Sequence, residues 1–177
     1  DTGIQNMGIY RGQVKAPRRL GMNPSLELRP GIYVHWEKAK AKGKKLPAAV
    51  ILGCPPCIAY TSAQKLPETV DELTVAGGLV GAPINVVKAK TVDLLVPAEA
   101  EIVIEGLIHT DELEPEAPFG ESHGHVNLQE YNAFMEVTAI TRRRDAVLTS
   151  IVSQVTPSES SLMKRVALEP MMLQHLT

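Results

Sequence analysis

Five β-rich segments, at residues 84–89, 92–96, 101–108, 131–141 and 146–153, follow one another with no amphipathic helix between any two of them. That succession constrains the fold more than any other feature of the chain. Parallel neighbours in a sheet need a crossover of a dozen or more residues, usually a helix, whereas antiparallel strands are joined by turns. The one long gap, residues 110–130, is acidic and interrupted by proline and glycine, so it reads as a loop rather than a crossover helix. The reading is an α+β chain with an antiparallel β-core and helices inserted and appended.

End signals place the helices. Ile32, Tyr33 and Trp36 recur at helical spacing between Pro30 and a lysine-rich run closed by Gly43, which predicts a helix over residues 31–42. Cys54–Ala63 and Val70–Leu79 read as short helices, the second with Thr69 as N-cap and Asp71 and Glu72 acidic in its first turn. After Pro157, Leu162, Val166 and Met171 mark a last helix that Ser158 can cap. Residues 47–52 form an apolar run ending in Gly53, as a buried strand would. Residues 7–14 read as extended, and Pro17, Pro24 and Pro30 leave room only for short strands and turns. Within 101–108, Ile102 and Ile104 followed by polar Glu105 predict one face in the core and one near solvent.

Composition excludes several function classes. A net charge of −2 supplies no cationic excess to hold nucleic acid or an anionic membrane, and the runs Lys38–Lys45 and Arg142–Arg144 are local. No apolar run approaches the ~20 residues that span a bilayer, and no signal peptide opens the chain. A cytoplasmic protein is expected. The start at Asp1, directly in motif-rich sequence, reads as a truncation.

Four groups of residues carry chemistry. Glu116-Ala-Pro-Phe-Gly-Glu121 sets two carboxylates five residues apart across a turn; beside one cation, such a pair is driven toward opposite protonation states. A solvated acidic loop would have the same composition. Asn6-Met-Gly-Ile-Tyr-Arg11 offers an amide and a guanidinium on a short extended segment, or merely a strand end with a surface arginine. Cys54-Pro-Pro-Cys57 lies between a strand and a helix, the setting of a redox pair, although the chain lacks the parallel βαβ frame of such proteins. His109, His123 and His125, with Asp111 and Glu112, are candidate metal ligands without a diagnostic spacing.

In their order and wording these pieces resemble the UbiD family of prenylated-flavin decarboxylases. The resemblance runs through Asn6-Met-Gly-Ile-Tyr-Arg11, Leu46-Pro-Ala-Ala-Val50 to Gly53, Asp71-Glu-Leu-Thr-Val-Ala-Gly-Gly-Leu79, Val96-Pro-Ala-Glu-Ala-Glu-Ile-Val-Ile-Glu-Gly106, Glu116-Ala-Pro-Phe-Gly-Glu121 and Ile140-Thr-Arg-Arg143. It implies a split β-barrel similar to flavin reductases over residues 1–156, and a C-terminal helix, residues 157–177, leading toward a further domain. It also implies prenylated FMN as cofactor, with Mn2+ or Mg2+ and K+ at its phosphate. Asn6 and Glu72 are the implied metal ligands. Asn6, Ile9, Tyr10, Arg11, Met22, Asn23, Pro67 and Glu72 are the implied cofactor contacts.

The implied reaction is reversible loss of CO2 from an aromatic or α,β-unsaturated carboxylic acid through a covalent adduct with the flavin. Arg11 and Glu116 stand as an ion pair, and Glu121 as the proton donor. A flavin prenyltransferase would supply the cofactor, and the longer enzyme would be a homo-oligomer. The isolated chain would bind flavin weakly and turn over poorly. Ala117 stands where the family usually has glycine. The histidine that many members offer as third metal ligand has no counterpart in residues 23–29, where Glu27 is the substitute considered. Two other readings remain: an FMN-binding split-barrel protein of electron transfer, and a thiol redox module using Cys54 and Cys57.

Overall fold

The computed structural model describes residues 3–23, 31–64, 66–121 and 123–176. It divides into two compact units, one of Asp1–Glu116 and Tyr131–Leu148, the other of Ala117–Glu130 and Thr149–Thr177. The first holds β1 (Gly12–Ala16), β2 (Arg19–Met22), α1 (Gly31–Ala41), β3 (Leu46–Leu52), α2 (Pro56–Ser62), α3 (Glu72–Val80), β4 (Val86–Lys88), β5 (Leu95–Pro97), β6 (Ile102–Ile108), β7 (Glu114–Pro115) and β8 (Tyr131–Arg142). α4 (Glu159–Leu176) belongs to the second.

Every strand pairing is antiparallel, in the order β1-β2-β8-β6-β3, with the two-residue β7 on the first residues of β8 and a separate β4-β5 ribbon. Antiparallel architecture is as expected. Among the described strands β1 and β3 end the path, so no closed barrel is formed. The centre of the sheet is β8, where Ala133, Phe134 and Met135 are all 2% exposed or less, which means that both faces are covered there. Ile32 and Trp36, four residues apart and so on one face of α1, pack with Met22, Ile108, Ala133, Met135 and Val137. Each such side chain contributes about 1.5–3 kcal/mol on full burial. Trp36 Nε1 donates to the His109 carbonyl at 2.8 Å, which satisfies the indole inside this core.

Three expectations need correction. Glu105 does not face solvent: it is 1% exposed and accepts hydrogen bonds from Lys90 N (2.9 Å), Thr91 N (2.6 Å) and Thr91 Oγ1 (2.8 Å). The two-residue alternation of β6 holds, with Ile104 and Ile108 on one face and Val103 and Glu105 on the other, but this second face is covered as well, by the Lys90–Thr91 backbone; the bulge opposite Glu105 and Gly106 lies on β8, at Thr138. Gly106 fits there because a Cβ would run into the carbonyl of Glu136 on the neighbouring strand. Residues 146–153 form no strand, and the Val147 N–H donates instead to Glu101 Oε2 at 3.0 Å. The cap of α3 is Asp71, whose Oδ1 accepts from Leu73 N at 2.8 Å, and not Thr69. That helix ends at Gly81, in the left-handed region at φ 71°.

In the second unit the loop folds back on itself. Gly120 bridges Val126, Asn127 N donates to Phe119 O at 3.0 Å, and Glu121 N donates to His125 O at 2.9 Å. Ser158 caps α4 as expected, its Oγ accepting from Ser161 N at 3.3 Å. Among the described residues no helix is long and apolar enough to cross a membrane.

Candidate active site

The strand order brings together residues more than a hundred positions apart in sequence. β7 is held down by the β1-β2 hairpin: Lys15 Nζ donates to Glu114 Oε2 at 2.9 Å and to the Pro115 carbonyl at 2.8 Å, and Arg19 Nη1 donates to Glu114 Oε1 at 2.7 Å. Glu116 is the next residue along. Arg11, just ahead of β1, grips it with both arms of its fork, Nε to Oε1 at 3.1 Å and Nη2 to Oε2 at 2.7 Å. Two amides add to the carboxylate, Asn132 Nδ2 to Oε2 at 2.9 Å and Asn23 Nδ2 to Oε2 at 3.2 Å. Asn23 also donates its backbone N–H to the Arg11 carbonyl at 3.2 Å, so it fixes both partners.

Burial makes this arrangement strong. Glu116 is 3% exposed and Asn132 5%, so the carboxylate depends on these donors in place of water. The Arg11 side chain keeps 26% exposure. Asn132 was not among the residues singled out from sequence. Its only signal there is a lone amide directly before the apolar run Ala133-Phe-Met135 of a strand.

The rest of the first motif lies against the start of α1. Asn6 Nδ2 donates to the Tyr10 hydroxyl at 3.1 Å, which also accepts from Ile32 N at 3.2 Å. Asn6 Oδ1 sits against Gly31, where any Cβ would collide with it. Ile9 stands 68% exposed. Glu72 is buried at the first position of α3. Near it is His35 of α1: burial pushes its pKa below the usual 6.5, Lys38 adds to that, and Glu68 and Glu72 offset only part of it. Neutral imidazole is therefore the form of His35 at neutral pH.

Other expected residues fall elsewhere. Met22 is 7% exposed inside the hydrophobic core. Pro67 precedes α3 and accepts from Val70 N at 2.9 Å. Glu27 lies outside the described residues. Glu121 belongs to the second unit, where Asn127 Nδ2 donates to its Oε1 at 2.7 Å. His123 and His125 lie in that unit too, with ring centroids 5.4 Å apart, whereas His109 stacks on Phe134 in the first. Among the described residues no group of three or more His, Cys, Asp or Glu is placed to hold a metal ion. Cys54 and Cys57 are free, and burial pushes the Cys54 thiol up, with Cys57 adding to the shift. A redox thiol needs the opposite.

Comparison with known proteins gives the family of the chain. The UbiD family description, a 3-octaprenyl-4-hydroxybenzoate carboxy-lyase Rift-related domain, matches residues 1–155. An uncharacterized protein of Aquifex aeolicus is 40% identical over 156 residues, which cover 87% of this chain and 32% of that protein. The UbiD-class enzyme HmfF of Pelotomaculum thermopropionicum, solved in complex with prFMN, superposes with a TM-score of 0.82 at 37% identity, over 92% of this chain and 37% of the enzyme. Vanillic acid decarboxylase of Sedimentibacter hydroxybenzoicus, in its closed form, gives a TM-score of 0.81 at 31% identity, over 86% of this chain and 32% of that one. The chain thus spans about a third of the length of the curated relatives it matches. With a match over nearly all of its residues, this chain belongs to the UbiD family.

Proposed function

We propose that this chain is the cofactor-binding part of a decarboxylase that uses prenylated FMN to release CO2, reversibly, from an aromatic or α,β-unsaturated carboxylic acid. The observation that carries the reading is the Arg11–Glu116 pair, buried on its carboxylate side and gripped at both oxygens. The sheet is read as the family's split barrel. As the chain spans about a third of its relatives, catalysis is assigned to a complete polypeptide of their length, and the chain alone is expected to bind cofactor weakly and turn over poorly.

The residues present suit a flavin phosphate with a hard cation. Asn6 lies at the opening turn of α1, whose first N–H groups favour an anion. Asn6 and Glu72 would hold Mn2+ or Mg2+ through amide and carboxylate oxygens, the donor type such ions prefer. K+ beside the phosphate is proposed from the family resemblance alone. Ile9, Tyr10, Arg11 and Asn23 would border the flavin, while Met22 and Pro67 would contribute backbone.

When bound, the prenylated flavin supplies the electron sink for loss of CO2. Arg11, held in one plane by Glu116, orients the acid. The bond between the substrate carbon and its carboxylate breaks, and the electron pair left on that carbon takes a proton from Glu121. Solvent then restores the proton to Glu121. A flavin prenyltransferase supplies the cofactor, and the complete enzyme is proposed to be a cytoplasmic homo-oligomer.

The test is CO2 release by the complete enzyme made together with a flavin prenyltransferase. Glu121→Gln is expected to lower turnover by about 10²–10⁴-fold, the usual worth of a positioned proton donor. Turnover unchanged by that substitution defeats the reading. An electron-transfer protein would instead bind ordinary FMN and be indifferent to Glu121→Gln. The thiol reading is disfavoured by the raised pKa of Cys54.

A further inference from the structure

Of Glu116's two oxygens, Oε2 receives Arg11 Nη2, Asn132 Nδ2 and Asn23 Nδ2, while Oε1 receives Arg11 Nε. A carboxylate oxygen has two lone pairs, so three donors crowd Oε2 and make it the anchored oxygen. Asn23 and Asn132 play different parts in this. Asn23 lies on coil beyond β2 at the longer distance, 3.2 Å, whereas Asn132 is buried in β8, the central strand, at 2.9 Å, paired across from Glu114. The rigid element sets the direction of the carboxylate.

We propose that Asn132 is a positioning residue. Its side-chain amide fixes the plane of Glu116 and selects Oε2 as the anchor, so that the Arg11 fork meets both oxygens. The consequence for turnover rests on the decarboxylase reading above; the consequence for the ion pair does not. Apolar replacement leaves Oε2 with Arg11 Nη2 and the longer contact from Asn23, removes the donor carried by the central strand, and frees the carboxylate to rotate. A misplacement on the order of 1 Å in a catalytic array costs about 10²-fold in rate.

The experiment compares wild type, Asn132→Leu and Asn132→Gln. Hydrogen exchange at Arg11 Nε–H, followed by 15N NMR in the 177-residue chain, reads the pairing without cofactor or turnover. Steady-state kinetics of the complete enzyme read its effect. The Leu variant is expected to exchange at least about tenfold faster, and to lose about 10–100-fold in kcat with KM changed by less than about twofold. The Gln variant, which keeps the amide, recovers part of both. Unaltered exchange in a Leu variant with wild-type melting overturns the proposal, as does a kcat loss no greater than its loss of folded protein. Should the Leu variant not fold, exchange of the Asn132 side-chain amide in the wild type decides. Slow exchange supports the bond, and exchange as fast as an exposed asparagine overturns it. A complete enzyme that releases no CO2 at all would defeat the functional reading while the NMR result still judges Asn132.

Discussion

Glu116 is buried against a small number of donors, so its partners should dominate local energetics. Arg11→Ala removes the cation and leaves a carboxylate that is 3% exposed with two amides. We expect a loss of about 2–4 kcal/mol in urea unfolding, near the lower end for a broken buried pair because Arg11 is itself partly exposed. A loss below about 0.5 kcal/mol, the range of ordinary surface changes, contradicts that account. Cys54 offers a contrasting case. Its thiol, raised by burial, should alkylate at pH 8 more slowly than a free cysteine, measured with iodoacetamide. Of this site, the Arg11–Glu116 pair was legible in sequence through the resemblance of its motifs, whereas Asn23 was expected only as a cofactor contact and not as a donor to Glu116. Asn132 was not legible, since nothing local distinguishes an amide that ends a strand from one that anchors a carboxylate across it.

The strand β6 shows where pattern reading gives out. Alternation does set Glu105 opposite Ile104, but the face it lies on is covered by the backbone N–H groups of Lys90 and Thr91 and not by solvent. Which segment covers a second face is set by the tertiary fold and leaves no mark within the strand itself. Burial alone would raise the Glu105 pKa, yet the donors from Lys90 and Thr91 outweigh it and the net shift is downward from 4.5. A lowered folded pKa means that its stabilisation is full above 4.5 and is lost as the pH falls through the folded value. Glu105→Gln should therefore destabilise the chain at pH 7, by about 1–3 kcal/mol, and flatten its acid unfolding below pH ~4.5, in chemical denaturation at a series of pH values. Gly106→Ala pushes a Cβ into the Glu136 carbonyl and should cost about 1–3 kcal/mol, with a melting temperature lowered by several degrees. Boundaries of α1, α3 and α4 were legible to within two residues because prolines, glycines and caps mark them. The absent strand at residues 146–153 was misread because its composition is β-like while its first backbone donor serves Glu101.

At the scale of the molecule, the antiparallel order β1-β2-β8-β6-β3 is what makes a site out of a dispersed sequence: it joins the start of the chain to its middle through β8. The α+β class followed from the lack of crossover helices, whereas the strand order did not, because chain order says nothing of which non-neighbours pair. Acid sensitivity is also a property of the whole. His35 has its pKa lowered in the fold, so the unfolded chain takes up a proton near pH 6.5 that the folded one resists. Stability from this source is present above pH ~6.5 and declines below it, ahead of the Glu105 effect. His35→Gln should remove the first step of that decline. The central claim is that Arg11 and Glu116 act as one device in a flavin-dependent decarboxylase. It is tested most directly by CO2 release from the complete enzyme loaded with prenylated FMN, set beside its Glu116→Gln variant at equal cofactor occupancy. The account predicts a folded, flavin-loaded variant at least about 10²-fold slower. Equal rates at equal occupancy would contradict it.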